Sequence, residues 1–184
     1  PAFPAKTVGE AIEAIRGNPG KFNYASVGSG SPHHLFMEAL KAELGLSIQH
    51  VPYKGTQAAI PDLLTGGVQM MFADATVAVP NIQAGKVTPL GTSSAKPTTL
   101  VPGVPPIAAT VKGFDWEAWQ GIVAPAATPP AIVAKLAAEL QRIQSTPEFR
   151  EQLRKFGMES APPHTPAEFA AIVAAEQPRW QKAV

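Results

Sequence analysis

FNYASVGSGSPHHLFMEALKAEL, residues 22–44, holds the strand, turn and helix on which the rest of the chain is built. Phe22 to Val27 is a short apolar and aromatic run that ends at small residues. Gly28-Ser29-Gly30 can take backbone angles closed to other residues, so it reads as a tight turn after a strand. Ser31-Pro32 then starts a helix. Serine is a good N-cap, and proline at the first helical position gives up only an amide that had no intrahelical partner. Phe36, Ala39, Leu40 and Leu44 recur at helical spacing, with Glu38, Lys41 and Glu43 on the other face. In the turn, backbone amides, the positive end of a helix dipole, the hydroxyls of Ser26, Ser29 and Ser31, and His34 converge. Such a place suits an anion. On the residues alone, a plain strand-to-helix connection stays open beside that reading.

On either side the chain alternates between elements. Thr7 to Arg16 has a helical pattern in Val8, Ile12 and Ile15, with Thr7 and Glu10 spaced as a capping box. Gly17-Asn18-Pro19-Gly20 ends it. After the central unit, Leu46 to Val51 is predicted as a second strand, followed by the VPYKG turn at 51–55. Thr56 to Leu64 reads as a short helix that Pro61 should kink or start later. Val68 to Phe72 is predicted as a buried strand leading to Asp74, Val77 to Ala84 as a helix, and Val87 to Thr92 as a further strand. Strands separated by helical crossovers pair in parallel, and their ligand site is expected at the carboxyl ends of the strands. The fold class is therefore α/β. Beyond a proline-rich connection from Lys96 to Pro106, Trp116 to Val123 is a strand candidate. A tail of helices follows at Ala131–Ile143, from Pro147, and from Thr165-Pro166. Ile132, Leu136, Leu140 and Ile143 form one apolar face without a visible sheet to cover.

Composition removes several function classes. The 15 basic and 14 acidic residues form no long run, which argues against a nucleic-acid surface. No apolar stretch approaches the ~20 residues of a membrane span, and PAFPAKTVGEAI lacks a basic segment followed by an apolar one. The chain as given is expected to be soluble, with no membrane insertion. Zero cysteines exclude disulfides and thiolate metal sites. His50 and His164 lie far apart without a carboxylate at ligand spacing, and His33, beside His34 on a helix, is expected to point elsewhere, so no metal site is predicted. GSGSPH has neither the third glycine of a dinucleotide fingerprint nor the Lys-Ser or Lys-Thr of a P-loop. No GxSxG elbow is present, and no histidine has an obvious orienting acid, so no catalytic residue and no cofactor are expected.

The run YASVGSGSPHHLFMEAL, then VPYKG and LLTGGVQMMFAD, then VPNIQAGK, VAPAATPPAIVAKLAAEL and LRKFGMESAPPHTPAEFAAIVAAE resembles the solute-binding proteins of tripartite tricarboxylate transporters, the Bug family. The resemblance spans essentially the whole chain. It implies a type II periplasmic-binding-protein fold, in which two α/β lobes close on a small carboxylate and hand it to membrane permease subunits, with no chemistry performed and a periplasmic location. It also implies that a signal peptide and part of the first lobe are missing. On that basis residues 1–123 are expected to be the second, ligand-binding lobe, and residues 124–184 the helices that complete the first. Two departures stand out: Ala75-Thr76-Val77 where relatives carry proline and a hydroxyl residue, and PGVPP where they show PDVPT.

Carried over by position, the resemblance places the anion loop on Ser26, Gly28, Ser29, Gly30, Ser31 and His34, the second turn on Tyr53, Lys54 and Gly55, and an acidic loop on Asp74. Asp74 would favour a ligand bearing an amino or hydroxyl group and penalise bare dicarboxylates. Duller roles compete. His34 could orient the loop by bonding a carbonyl, Tyr53 could be a packed aromatic, Lys54 a solvated turn residue, and Asp74 a helix cap. Two rival functions remain at this stage: an α/β enzyme acting on a phosphorylated or nucleotide substrate, and an effector-sensing domain of a transcription regulator.

Overall fold

Strand β1 (Asn23–Ser26) is the middle of a three-stranded parallel sheet in the order β2-β1-β3, in a computed structural model that describes residues 3–182. β2 is Gln49–Pro52 and β3 is Met70–Met71. Tyr24 pairs with His50 on one side and Met70 on the other, and Ala25 with Val51 and Met71. Tyr24, Ala25 and Ser26 are fully enclosed. Side chains alternate across a strand, so Tyr24 and Ala25 serve opposite faces. Tyr24 joins a core with Val8, Ile12, Ile15, Phe22, Met37, Ile107, Val111 and Phe114, while Ala25 packs with Ala59 and Val68.

The local signals set the helices. Helix α1 (Val8–Arg16) is capped by Thr7, whose hydroxyl accepts from the Glu10 amide, while the Glu10 carboxylate accepts from the Lys6 amide. Helix α2 (Pro32–Leu44) begins with Ser31 as cap and ends at Gly45 with φ +63°, a left-handed stop. Helix α3 (Thr56–Thr65) contains Pro61 and still starts at Thr56, so of the two expected effects, a kink or a later start, the later start does not occur. Pro61 and Gln57, whose carbonyl loses its partner, are both exposed, so water can serve that carbonyl. Helix α4 (Ala75–Gln83) follows β3.

Two predicted strands are absent among the described residues. Val87 to Thr92 is irregular apart from an isolated bridge between Thr92 and Pro106, because Pro89 in its middle has no amide to donate to a ladder. Trp116 to Val123 is also irregular. The chain divides into two compact units between Ala118 and Trp119, inside that segment, and Trp116 donates its amide to the Ser93 carbonyl instead. The sheet strands are also shorter than predicted, with β3 reduced to two residues.

In place of the missing strand, Gly91 lets the chain pass close to the core. A Cβ built there would lie 2.9 Å from Ile107 Cγ1, 3.0 Å from Val8 Cγ2 and 3.3 Å from the Pro105 carbonyl. Gly91→Ala is therefore expected to destabilise the chain by about 1–3 kcal/mol in urea denaturation, as overpacking of a filled core does.

The second unit, residues 119–181, holds helices α5 (Pro130–Gln144) and α6 (Pro147–Lys155) and all but the last residue of α7 (Pro166–Lys182). At the start of α7, Thr165 and Glu168 form a reciprocal box, with the Thr165 amide on the Glu168 carboxylate at 2.7 Å and the Glu168 amide on Thr165 Oγ1 at 3.2 Å. These backbone and side-chain bonds hold the Glu168 carboxyl below its ordinary range. Trp119 meets Phe169 edge-on at 5.2 Å, and both Trp119 and Trp180 donate to Glu176. The predicted apolar face of α5 is only half covered: Leu140 and Ile143 are partly buried, but Ile132 and Leu136 are 50% and 52% exposed.

Candidate functional site

The carboxyl ends of the three strands carry every residue the sequence singled out. At the end of β1, Gly28 and Gly30 have φ of +119° and +78°, in the region that side chains disfavour. A Cβ at either would meet nothing within 4 Å, so the backbone angle demands glycine there and the space beside the turn is open. Ser26 Oγ accepts from the Gly28 amide at 3.0 Å and lies 2.5 Å from His50 Nε2. Ser31 Oγ donates to the Gly28 carbonyl at 2.6 Å and accepts from the His34 amide at 3.3 Å, which fixes the start of α2.

The turn uses much of its own hydrogen-bonding capacity. The Gly28 amide is on Ser26, the Ser31 amide is on the Gly28 carbonyl, and the Gly30 amide donates to His34 Nδ1 at 3.3 Å. His34 thus orients the loop, but by accepting from an amide and not by bonding a carbonyl. Ser29 is exposed, and neither its amide nor its hydroxyl has a partner among the described residues. Within residues 28–31, among the described residues, the donors left for an incoming anion are those of Ser29.

β2 and β3 contribute the rest. The Tyr53 amide continues the sheet by donating to the Ser26 carbonyl at 2.8 Å, and its hydroxyl donates to Asp62 at 2.6 Å. Burial, with Asp62 beside it, pushes the Tyr53 hydroxyl up to about 12. Lys54 is exposed. Asp74 holds the N-cap position of α4 without capping it. One carboxylate oxygen accepts from Thr56 Oγ1 at 2.6 Å and the other lies 3.1 Å from His33 Nε2. His33 therefore does have an acid partner, and it points to the same end of the sheet as His34. Residues in the first turn of a helix can meet loops from different strands, which helical periodicity alone does not reveal.

Behind the turn lies a polar stack that the sequence reading missed. The His34 ring lies 4.3 Å from that of His50, and His50 stacks on Tyr24 at 5.0 Å. The Tyr24 hydroxyl donates to Glu38, which also receives Lys41 Nζ at 2.6 Å. Burial holds the His50 imidazole below its ordinary value, with the nearby His34 and Lys41 charges adding to the effect. Burial alone would raise Glu38, but the bonds from Lys41 and Tyr24 and the charges of Lys41 and His34 outweigh it and keep the carboxyl low. Burial and the Glu38 contact push Tyr24 far up. The signal for His50 was its place on β2 opposite Tyr24, legible only once the register is known.

Among the described residues, no group of three or more metal-ligating side chains could hold an ion, and no helix is long and apolar enough to cross a membrane. What the strand ends offer is a neutral, donor-bearing turn at a helix start, bordered by one half-exposed carboxylate.

Comparison with known proteins agrees with this architecture. A UPF0065 protein encoded between tcbD and tcbE in a Pseudomonas species is 35% identical over 181 residues, covering 97% of this chain and 54% of its own length. The chain thus spans about half the length of that curated relative. Among solved structures, R. palustris Rpa4515 with adipate superposes with a TM-score of 0.85 at 30% identity, over 99% of this chain and 61% of that one. The periplasmic binding protein BugD superposes with a TM-score of 0.81 at 32% identity, over 99% of this chain and 63% of that one. The family and these neighbours are solute-binding proteins and not enzymes. The description "tripartite tricarboxylate transporter family receptor" matches residues 1–184 from end to end, and the chain belongs to that family.

Proposed function

We propose that this protein is the periplasmic solute-binding component of a tripartite tricarboxylate-type transporter, capturing a small carboxylate at the strand ends and presenting it to membrane permease subunits. The observation that carries this reading is the β1–α2 turn, where Ser29 offers an unpaired amide and hydroxyl beside open space at the start of a helix. In it, Ser29 binds a carboxylate oxygen. Ser26, Gly28, Gly30 and Ser31 hold the turn in its positive-φ shape, and His34 borders the anion. Tyr53 forms the rim. Asp74 keeps lone pairs free on a half-exposed carboxylate, which favours a ligand carrying a hydroxyl or amino group over a bare dicarboxylate. Residues 1–123 act as the ligand-binding lobe, and the half-covered face of α5 within residues 124–184 belongs against the other lobe. Closure of the lobes removes water and strengthens each bond.

The test is a thermal-shift and calorimetric screen of carboxylates against nucleotides. Malate and adipate are expected to stabilise the chain selectively, with malate ahead. The affinity of these residues alone should be weak, at about micromolar Kd or above, since one lobe supplies only part of the contacts. Ser29→Pro, which removes the amide, should weaken binding about 10- to 100-fold, as loss of a bond to a charged group does. A nucleotide-selective shift would overturn the proposal.

A further inference from the structure

His34 sits on the Gly30 amide where a ligand oxygen would also fit. The bond is long at 3.3 Å, beyond the usual range for a strong N–H donor, and is therefore cheap to exchange. Gly30 is exposed, and nothing lies within 4 Å of where its Cβ would stand, so the loop is open on that side. A carboxylate is also a better acceptor than a neutral ring nitrogen, because charge-assisted bonds are about twice as strong.

We infer that neutral His34 masks the Gly30 amide as a stand-in for the ligand, so that carboxylate capture displaces His34 and is coupled to protonation of its imidazole. The inference rests on the reading of the β1–α2 turn as the carboxylate site. Its logic is that of donor inventory. Nδ1 can accept from Gly30 only while it carries no proton, and an imidazolium has no acceptor at all. Protonation therefore breaks the same bond that a ligand must break. It frees the Gly30 amide and leaves a positive charge beside the turn. Proton and carboxylate favour one state, so each must tighten the binding of the other.

The surroundings are compatible with this coupling. From β2, the His50 ring faces His34 at 4.3 Å, and from β1, Tyr24 at 6.4 Å. Burial disfavours the charged form of His50, which lessens its repulsion of a charge on His34. On α2 itself, Glu38 lies one turn on and its charge attracts that of His34, while Lys41 is bound to Glu38 at 2.6 Å. The expected sign follows: carboxylate affinity rises as pH falls, by at most about tenfold per unit for one proton.

The test combines nuclear magnetic resonance of the ligand-free chain with adipate titrations from about pH 8 to about pH 6.5. The Gly30 amide and His34 ring nitrogen resonances should move along one titration, and adipate at the higher pH should move both, with the Gly30 amide shifting as expected for a change of acceptor. Adipate binding should tighten severalfold across this range. In His34→Gln, whose side-chain oxygen can still accept from Gly30 but does not titrate, that dependence should vanish. A Gly30 amide that ignores the His34 titration overturns the inference whatever adipate does. An unchanged pH slope in His34→Gln overturns it while leaving the carboxylate site standing, and no adipate-induced shift at the turn overturns both.

Discussion

Phe114→Ala is expected to cost about 3–5 kcal/mol of folding stability, read as a lower urea midpoint at unchanged slope. The side chain is fully enclosed, stacks on Phe72 at 6.3 Å, and through it reaches Phe36, which meets Phe72 edge-on at 5.5 Å. Phe36 lies on α2, so truncation would open a cavity between the irregular segment after α4 and the helix that carries the candidate site. Ile107 and Val111, buried beside Phe114 and spaced along the same segment, show why the loss should be large. This segment closes the Tyr24 face of the sheet without belonging to any strand or long helix. The matched control is Ile122→Ala, at a position 73% exposed, which should stay within about 0.5 kcal/mol of the parent. A Phe114 variant losing less than about 1 kcal/mol would mean that the Tyr24 face is held closed by α1 and α2 alone.

Phe114 also marks where the sequence stops being informative. The strand-turn-helix from Asn23 to Leu44 was legible because its signals are local: Ser31 caps, Pro32 begins, and Gly28 and Gly30 take angles that few other residues tolerate. Thr7 with Glu10, and Thr165 with Glu168, are equally local and are found as boxes. The segment from Val87 to Phe114 carries no cap or turn signal of that kind and, among the described residues, forms only one short 3-10 turn, Ile107–Ala109. Its apolar residues pack against α1 and the sheet because the chain happens to pass there, and Pro89 had already removed a donor that a strand would need. The candidate site divides in the same way. The turn was readable, whereas the contacts of His33 with Asp74 and of His50 with Ser26 join residues 41 and 24 positions apart and depend on the strand order. The short-range contact of Gly30 with His34 was not legible either: the sequence allows His34 as a ligand residue or a partner of a carbonyl, and spacing alone does not show that it accepts from an amide.

Glu38→Ala is expected to lower stability by about 2–3 kcal/mol, because it strands two donors at once. The Tyr24 hydroxyl loses its acceptor inside the sheet core, and Lys41, whose side chain is only 20% exposed, loses its counter-charge. Glu38→Gln, which keeps an acceptor for Tyr24, should cost less and separates the charge from the shape. The two variants also differ from the parent in acid. The folded Glu38 carboxyl sits below its ordinary 4.5, so on acidification the unfolded chain takes up its proton first. The Glu38 contribution is fully present above 4.5 and is lost as pH falls below it, toward the lower folded value. His50, lowered by burial from 6.5, has the same sign at higher pH: the unfolded chain protonates first, and stability declines as pH falls below 6.5. Urea midpoints measured across this range should therefore fall in two steps in the parent, and Glu38→Gln should keep the upper step while losing much of the lower. Equal acid slopes below 4.5 in parent and Glu38→Gln would show that the Tyr24–Glu38–Lys41 group is not the origin of the lower step, and would remove the electrostatic support assigned here to the helix behind the turn.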